Sequence, residues 1–330
     1  NLGIYLSSSS NNNVTNNTVY SNAGTGIYLY SSYNNTISSN SIYNNSGYGI
    51  YITRVSSYNN ISSNTIKDNA YDNIYLDDWS KHNILKNNVI NNSGSGYDNI
   101  HIEGLTFNNI ISNITIESNN LTFAGRHGIY IYSYSLNNTI KNNIISNSTN
   151  IGILIGNGST NTTTNYQFIY SNNISSNPIN ININQSLNVN LTNNTLECVG
   201  CSYDVVVERN GSLLSLNNSF NENKVLVRDA SNLTVAYFVD VNVTDNDGDI
   251  AIASANVSLF NNQTSNLQNF FINLTTDSTG LTPLQYVIAY IRNSTGNYTN
   301  NDTSYLPYNI TGAKSNWNDN STVEWLKKGD

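Results

Sequence analysis

Asp77 and Glu103 are the residues whose types and spacing come closest to catalytic chemistry. Each closes a strand-like tetrapeptide, Ile74-Tyr75-Leu76-Asp77 and Ile100-His101-Ile102-Glu103. Set in register on neighbouring strands, the two carboxyl groups stand about one strand spacing apart, ~4.8 Å. Two carboxyls that close can share a proton, hold Ca²⁺ or work as an acid–base pair. Thr53 and Tyr132 extend the same outward column, and Arg54, Asp78, Lys81, His82, Arg126 and His127 crowd the same stretch of sequence. A solvated face with one tolerated step of charge gives the same pattern and is the preferred reading. No Ser/His/Asp or phosphate-binding constellation accompanies the pair. The expectation is therefore a chain that is not an enzyme.

The remaining reactive side chains point to structure. Cys198 and Cys201 form Glu-Cys-Val-Gly-Cys. Zinc needs four ligands and no second cysteine pair exists, so a short-loop disulfide formed in an oxidising exterior is expected. Asp245, Asp247 and Asp249 could hold Ca²⁺, but no downstream Glu completes the loop, and a plain hairpin turn is favoured. No other cofactor is expected. Asn-x-Ser/Thr sequons are abundant, with Asn13, Asn34, Asn60, Asn113, Asn157, Asn232, Asn256 and Asn309 as candidate carriers of N-linked glycans. Tyr5, Tyr28, Tyr51, Tyr75 and Tyr130, with His101 among them, align as an outward aromatic column. Such a column stabilises a parallel sheet, or docks a subunit or a sugar polymer.

These residues are positioned by a repeat. Gly3-Ile4-Tyr5-Leu6 returns as Gly26-Ile27-Tyr28-Leu29 and Gly49-Ile50-Tyr51-Ile52, then as Asn73-Ile74-Tyr75-Leu76, in steps of 23, 23 and 24 residues. Between copies runs apolar-x-x-Asn-x-apolar-x-x-Asn: Val14, Asn17, Val19, Asn22 in the first period and Ile84, Asn87, Val89, Asn92 in the fourth. Three short strands per period make one coil of a parallel β-helix, with Ile4, Leu6, Val14 and Val19 inward and the recurrent Asn at corners needing φ > 0. Residues 1–229 are expected to form nine to ten coils. Longer alternating strands after residue 230 imply a C-terminal antiparallel β-sandwich over 230–330. The fold class is all-β.

Composition agrees. Of 330 residues 69 are Asn, only 10% are charged, the net charge is -8 and Met is absent. Nucleic acid is excluded as a partner, because phosphate recognition needs a concentrated basic surface. No apolar run reaches the roughly 20 residues of a membrane-spanning helix.

The Gly-Ile-Tyr-Leu and Asn-x-Ile-x-x-Asn coils resemble the right-handed parallel β-helix repeats of NosD-like proteins, especially surface proteins of methanogenic and related archaea. Val241-Asn-Val-Thr-Asp245, Ala255-Asn-Val-Ser-Leu259 and Thr276-Asp-Ser-Thr-Gly280 resemble the Ig-like, carboxypeptidase-regulatory-type sandwich that follows such helices. The resemblance implies an extracellular, glycosylated structural subunit of a surface layer, sheath or filament. Its partners would be identical subunits, meeting head to tail through Leu2, Ile4 and Tyr5 at the first coil and Trp325 in the tail. The chain enters directly into a repeat, as expected of a trimmed product. The alternative is a polysaccharide-binding adhesin, or a polysaccharide lyase or hydrolase using Asp77 and Glu103. The stacked Asp pairs with His-Gly and Arg-x-Lys elements of pectin-hydrolase β-helices are missing.

Overall fold

The structure is a computed structural model. It describes residues 1–104, 110–156, 166–244, 250–261, 271–294, 301–304, 308–313 and 324–326, the side chains of 260, 261, 271 and of the segments after 294 excepted. Asn157, Asp245, Asp247 and Asp249 lie outside the described residues, as do the side chains of Asn309 and Trp325. The chain divides into two compact units, one of Asn1–Leu233 with Asn293–Asn300, the other of Thr234–Arg292 with Asn301–Asp330.

The first unit is a parallel β-helix of about nine turns. Its first sheet holds ten strands in coil order, from Ile4–Ser7 to Val225–Val227. A second sheet runs from Asn13–Thr15 to Ser212–Leu216 and a third from Thr18–Tyr20 to Thr195–Glu197. Every strand pairs with the equivalent strand one coil away, so like side chains stack. Ile27, Ile50, Ile74, Ile100, Ile129 and Ile153 form one fully buried column in register. These strands are two to six residues long and cannot bury a face alone; stacking supplies the apolar partner above and below.

A second interior column is polar. Asn17, Asn40, Asn64, Asn88, Asn119, Asn143, Asn172, Asn194 and Asn218 form a continuous amide ladder. Asn88 is typical: its Nδ2 donates to Asn119 Oδ1 at 2.9 Å and to the Ile61 carbonyl at 3.0 Å. Its Oδ1 accepts from the backbone N and the Nδ2 of Asn64. These asparagines do not adopt positive φ. The residue before each one does: Asn16, Ser39, Ser63 and Asn87 have φ between 55° and 59°. The corner therefore needs two residue types, one tolerant of the left-handed region and one able to feed the ladder.

The fourth coil corrects the expected phase. Ile84 and Val89 point outward, and Leu85 and Ile90 are fully buried. Asn88, not Asn87, enters the ladder.

The recurring glycine has a steric cause. A Cβ on Gly49 would lie 2.5 Å from the Asn73 carbonyl oxygen and 2.7 Å from Ile66 Cγ2. The next coil's backbone leaves no room for a side chain.

In the second unit the strands Asn256–Asn261, Phe271–Thr275, Tyr308–Ala313 and Glu324–Leu326 form one small antiparallel sheet. Val239, Leu259 and Val287 make a buried cluster, with Val241, Ile272 and Leu274 packed on it. This is a smaller element than the sandwich expected. Among the described residues no helix is long and apolar enough to cross a membrane.

Candidate functional site

The outward face of the first sheet carries the aromatic strip. Tyr5, Tyr28, Tyr51, Tyr75, His101 and Tyr130 are consecutive register partners. Ring centroids step by 5.1, 5.0, 5.2, 4.9 and 4.8 Å. Exposure falls along the strip, from half-open Tyr5 to buried Tyr75. Tyr48 causes much of this: its ring lies 5.0 Å from Tyr51 and 5.1 Å from Tyr75.

Beside the strip runs a second column, Asp77, Glu103, Tyr132, in the expected register. Glu103 is half-buried but Asp77 is enclosed, which corrects the reading of a fully solvated charge step. Asp77 is only 4% exposed. Its Oδ2 accepts from the Tyr51 hydroxyl at 2.9 Å, and its Oδ1 has no partner. Burial raises its pKa above the ordinary carboxyl value, against the hydrogen bonds from Thr53 and Tyr51 that favour the anion. Glu103 Oε2 accepts from the Tyr75 hydroxyl at 3.1 Å. Burial and the nearby Asp77 charge hold the Tyr75 and Tyr51 hydroxyls far above the usual phenol range, and burial with Asp72 pushes Tyr48 up to about 12. These phenols are permanent donors.

His101 sits between the carboxyls. Its Nδ1 faces Asp72 Oδ2 at 3.4 Å and Asp98 Oδ2 at 3.7 Å, and its Nε2 faces Glu103 Oε2 at 3.8 Å. Nε2 is buried and has no hydrogen-bond partner. Two carboxylates on the Nδ1 side favour a proton on that nitrogen. Asp98 is fully buried and anchored by Arg126 Nε at 3.0 Å and by the His127 backbone N–H at 2.9 Å. Desolvation raises its pKa, and Arg126 opposes that. Arg126 in turn lies 5.0 Å over the Tyr130 ring. Burial, with the Arg126 charge beside it, lowers the His127 pKa to about 3 and keeps it neutral.

Ligand atoms of Asp72, Asp98 and His101 lie within 4.8 Å of one another. Asp98 is already saturated by Arg126 and the His127 N–H, and Asp72 Oδ1 accepts from the Asp98 N–H. The group therefore reads as an anchor for His101. Asp72 and Asp98 were missed in the sequence, although a signal existed. Both coils replace the motif glycine by Asn and precede it with Asp, as Asp72-Asn73-Ile74-Tyr75 and Asp98-Asn99-Ile100-His101.

The fold gathers Asp77, His101, Glu103, Arg126 and His127 with Asp72 and Asp98, while His82, Lys81 and Arg54 have other neighbours. His82 stacks on Tyr58, Lys81 lies over Trp79 and Arg54 pairs with Asp78. Cys198 and Cys201 are joined as a disulfide. Of the sequon asparagines, Asn13, Asn34, Asn113, Asn232 and Asn256 are exposed and Asn60 is half-buried. Of the expected interface residues, Leu2 and Tyr5 are exposed, Ile4, Tyr28, Tyr51 and Tyr130 are half-buried and Tyr75 is buried.

Residues 1–113 match the family model described as right handed beta helix region. No curated protein sequence matches the chain. Among solved structures, the chain is similar to an alginate lyase from Paenibacillus sp. str. FPU-7, at 14% identity and a TM-score of 0.53, over 63% of this chain and 76% of that one. It is also similar to the periplasmic alginate epimerase AlgG, at 22% identity and a TM-score of 0.52, over 60% of this chain. The match spans about half, 48%, of the epimerase. The Dettilon tailspike protein aligns over 95% of this chain and 67% of its own, at 15% identity and a TM-score of 0.54. At these identities the likeness is one of fold. It overturns the expectation of a chain that is not an enzyme, because this β-helix is a scaffold shared with a lyase and an epimerase. The comparisons back the polysaccharide alternative better than the surface-layer subunit.

Proposed function

We propose that this chain binds an extended acidic polysaccharide along the aromatic strip and cleaves it by proton transfer at Asp77 and His101. One observation carries the reading. Two buried polar atoms on adjacent strands of the first sheet's outward face, Asp77 Oδ1 and His101 Nε2, have no hydrogen-bond partner. Such unsatisfied, desolvated groups are costly and concentrate at reactive sites. The alginate lyase and epimerase that share the fold give the substrate class its support.

In a uronate unit the C5 hydrogen lies α to the carboxylate. His101 Nε2 takes that proton, the C4–O bond breaks, and a C4=C5 double bond forms. The leaving oxygen receives a proton from Asp77, whose burial keeps it protonated above the ordinary carboxyl range. Tyr51 holds the other oxygen of Asp77, and Tyr75 holds Glu103. Stacked rings give the polymer a flat apolar bed with polar hydroxyl tips.

The register of Asp77 with Glu103 favours a second reading, hydrolysis by an acid and a carboxylate. One assay separates the two. Alginate and other uronic-acid polymers are incubated with the chain, and ultraviolet absorbance of the conjugated product is followed beside the release of reducing ends. Both signals rising together support elimination. Reducing ends without absorbance support hydrolysis. Neither signal from any polymer tried defeats the proposal.

A further inference from the structure

Two outward columns lose their bulk at the same coil. In the strip, Tyr130 is followed by Leu154 and then Asn182. In the column beside it, Tyr132 is followed by Gly156 and then Asn184. Two large rings followed by Leu and Gly leave a step in the face. It is a hollow of about 220 Å³ lined by Tyr130, Tyr132, Leu154, Gly156, Asn184 and Arg209. A Cβ placed on Gly156 would meet Tyr132 Cδ2 at 3.4 Å and Tyr130 Cε2 at 3.5 Å, so ring edges bound the space.

The charges around the hollow are unevenly matched. Glu208 accepts from Asn182 Nδ2 at 3.0 Å and Asn184 Nδ2 at 2.9 Å, and Arg228 closes on its other oxygen. Glu208 is thereby satisfied without Arg209. Arg209 is exposed and has no acidic partner among the described residues. Asn182, register partner of Leu154 and only 6% exposed, leaves its Oδ1 unpartnered. A lone guanidinium, the Asn184 side chain at the wall and two aromatic edges match a ring bearing hydroxyls and one carboxylate.

We propose that this hollow is a subsite for an acidic sugar unit, with Arg209 reading the carboxylate and Gly156 providing the space. It rests on the reading of the strip as a polysaccharide bed and deepens it. Gly156 lies two rungs beyond Glu103, roughly 10 Å at the spacing of strands. The unit held there therefore lies further along the same polymer than the one cleaved, and it sets specificity.

The test is affinity electrophoresis of the full chain, in the cold, in native gels containing alginate or its carboxyl-reduced counterpart. The unmodified chain is expected to be retarded more by alginate. Arg209→Gln weakens alginate binding about tenfold and barely changes binding of the reduced polymer, and Arg209→Lys restores part of the loss. Gly156→Leu fills the hollow and weakens both. If Gly156→Leu misfolds by circular dichroism, the exposed Arg209 variants decide alone. Retardation of all variants equal to the unmodified chain overturns the subsite and leaves the strip intact. An unmodified chain retarded by neither polymer overturns both.

Discussion

The Tyr51 hydroxyl donates to Asp77 Oδ2 across one coil, at 2.9 Å. It acts against burial, the dominant influence on Asp77, which raises the carboxyl pKa. The folded state thus keeps a proton that the unfolded chain has released. Stability falls as pH rises from the ordinary carboxyl range through the raised pKa. Glu208, whose pKa is lowered because the Asn182 and Arg228 hydrogen bonds outweigh its burial, contributes the opposite slope at lower pH. Subtracting variant from parent isolates Asp77. Thermal midpoints measured from about pH 4 to about pH 8 should fall less for Asp77→Asn than for the parent. Tyr51→Phe should move the fall to higher pH. Parallel curves for all three would show that Asp77 titrates normally.

Binding and turnover should separate along the strip. Tyr28 lies three coils from His101, stacks between Tyr5 and Tyr51, and touches no reacting group. Tyr28→Ala should weaken polymer binding by about 0.5–1.5 kcal/mol and leave the maximal rate nearly unchanged. His101→Gln should keep binding and lower the rate at least about a hundredfold. Steady-state kinetics decide: a rate loss in Tyr28→Ala equal to that in His101→Gln would remove the division of labour.

The sequence carried the strip and the carboxyl register openly, because Gly-Ile-Tyr-Leu copies align without gaps and fix which residues share a column. Burial was harder to read. Tyr48, which belongs to no repeated motif, packs on the Tyr51 and Tyr75 rings, and His101 faces Asp72 and Asp98, neither of which is in its own strand. The fourth coil misled for a local reason: Ile84-Leu85 and Val89-Ile90 each offer two aliphatic residues, and Asn87-Asn88 two amides. Periodicity alone admits either phase there, and only the ladder through Asn64 and Asn119 selects Leu85, Asn88 and Ile90. The hollow beside Gly156 was invisible, since it depends on two columns losing size together.

The ladder itself is testable at Asn88. Asn88→Asp replaces an amide donor by an acceptor that faces Asn119 Oδ1 and the Ile61 carbonyl, in a buried setting. The expected cost is about 3–5 kcal/mol. Asn16→Asp, at an exposed corner with φ 59°, should stay within about 0.5 kcal/mol. Urea unfolding of the two variants measures the contrast, and equal costs would mean that the amide column is incidental.

Two glycines on the first sheet make the last contrast. Gly49 has the Asn73 carbonyl 2.5 Å from the site of a Cβ, and that same carbonyl accepts the Ile50 N–H at 2.8 Å. Backbone cannot rotate away as a side chain can, so Gly49→Ala must separate two coils and weaken the rung. A cost of about 1–3 kcal/mol follows. Gly156 differs, because its nearest neighbours are Tyr ring edges at ordinary contact distance and its φ is not left-handed. Gly156→Ala should therefore be neutral, or stabilising by about 0.5 kcal/mol as the unfolded chain loses freedom. Unfolding midpoints should separate the two alanine variants clearly. If Gly156→Ala were as damaging as Gly49→Ala, the space beside Gly156 would be closed, and the acidic-sugar subsite would fall with it.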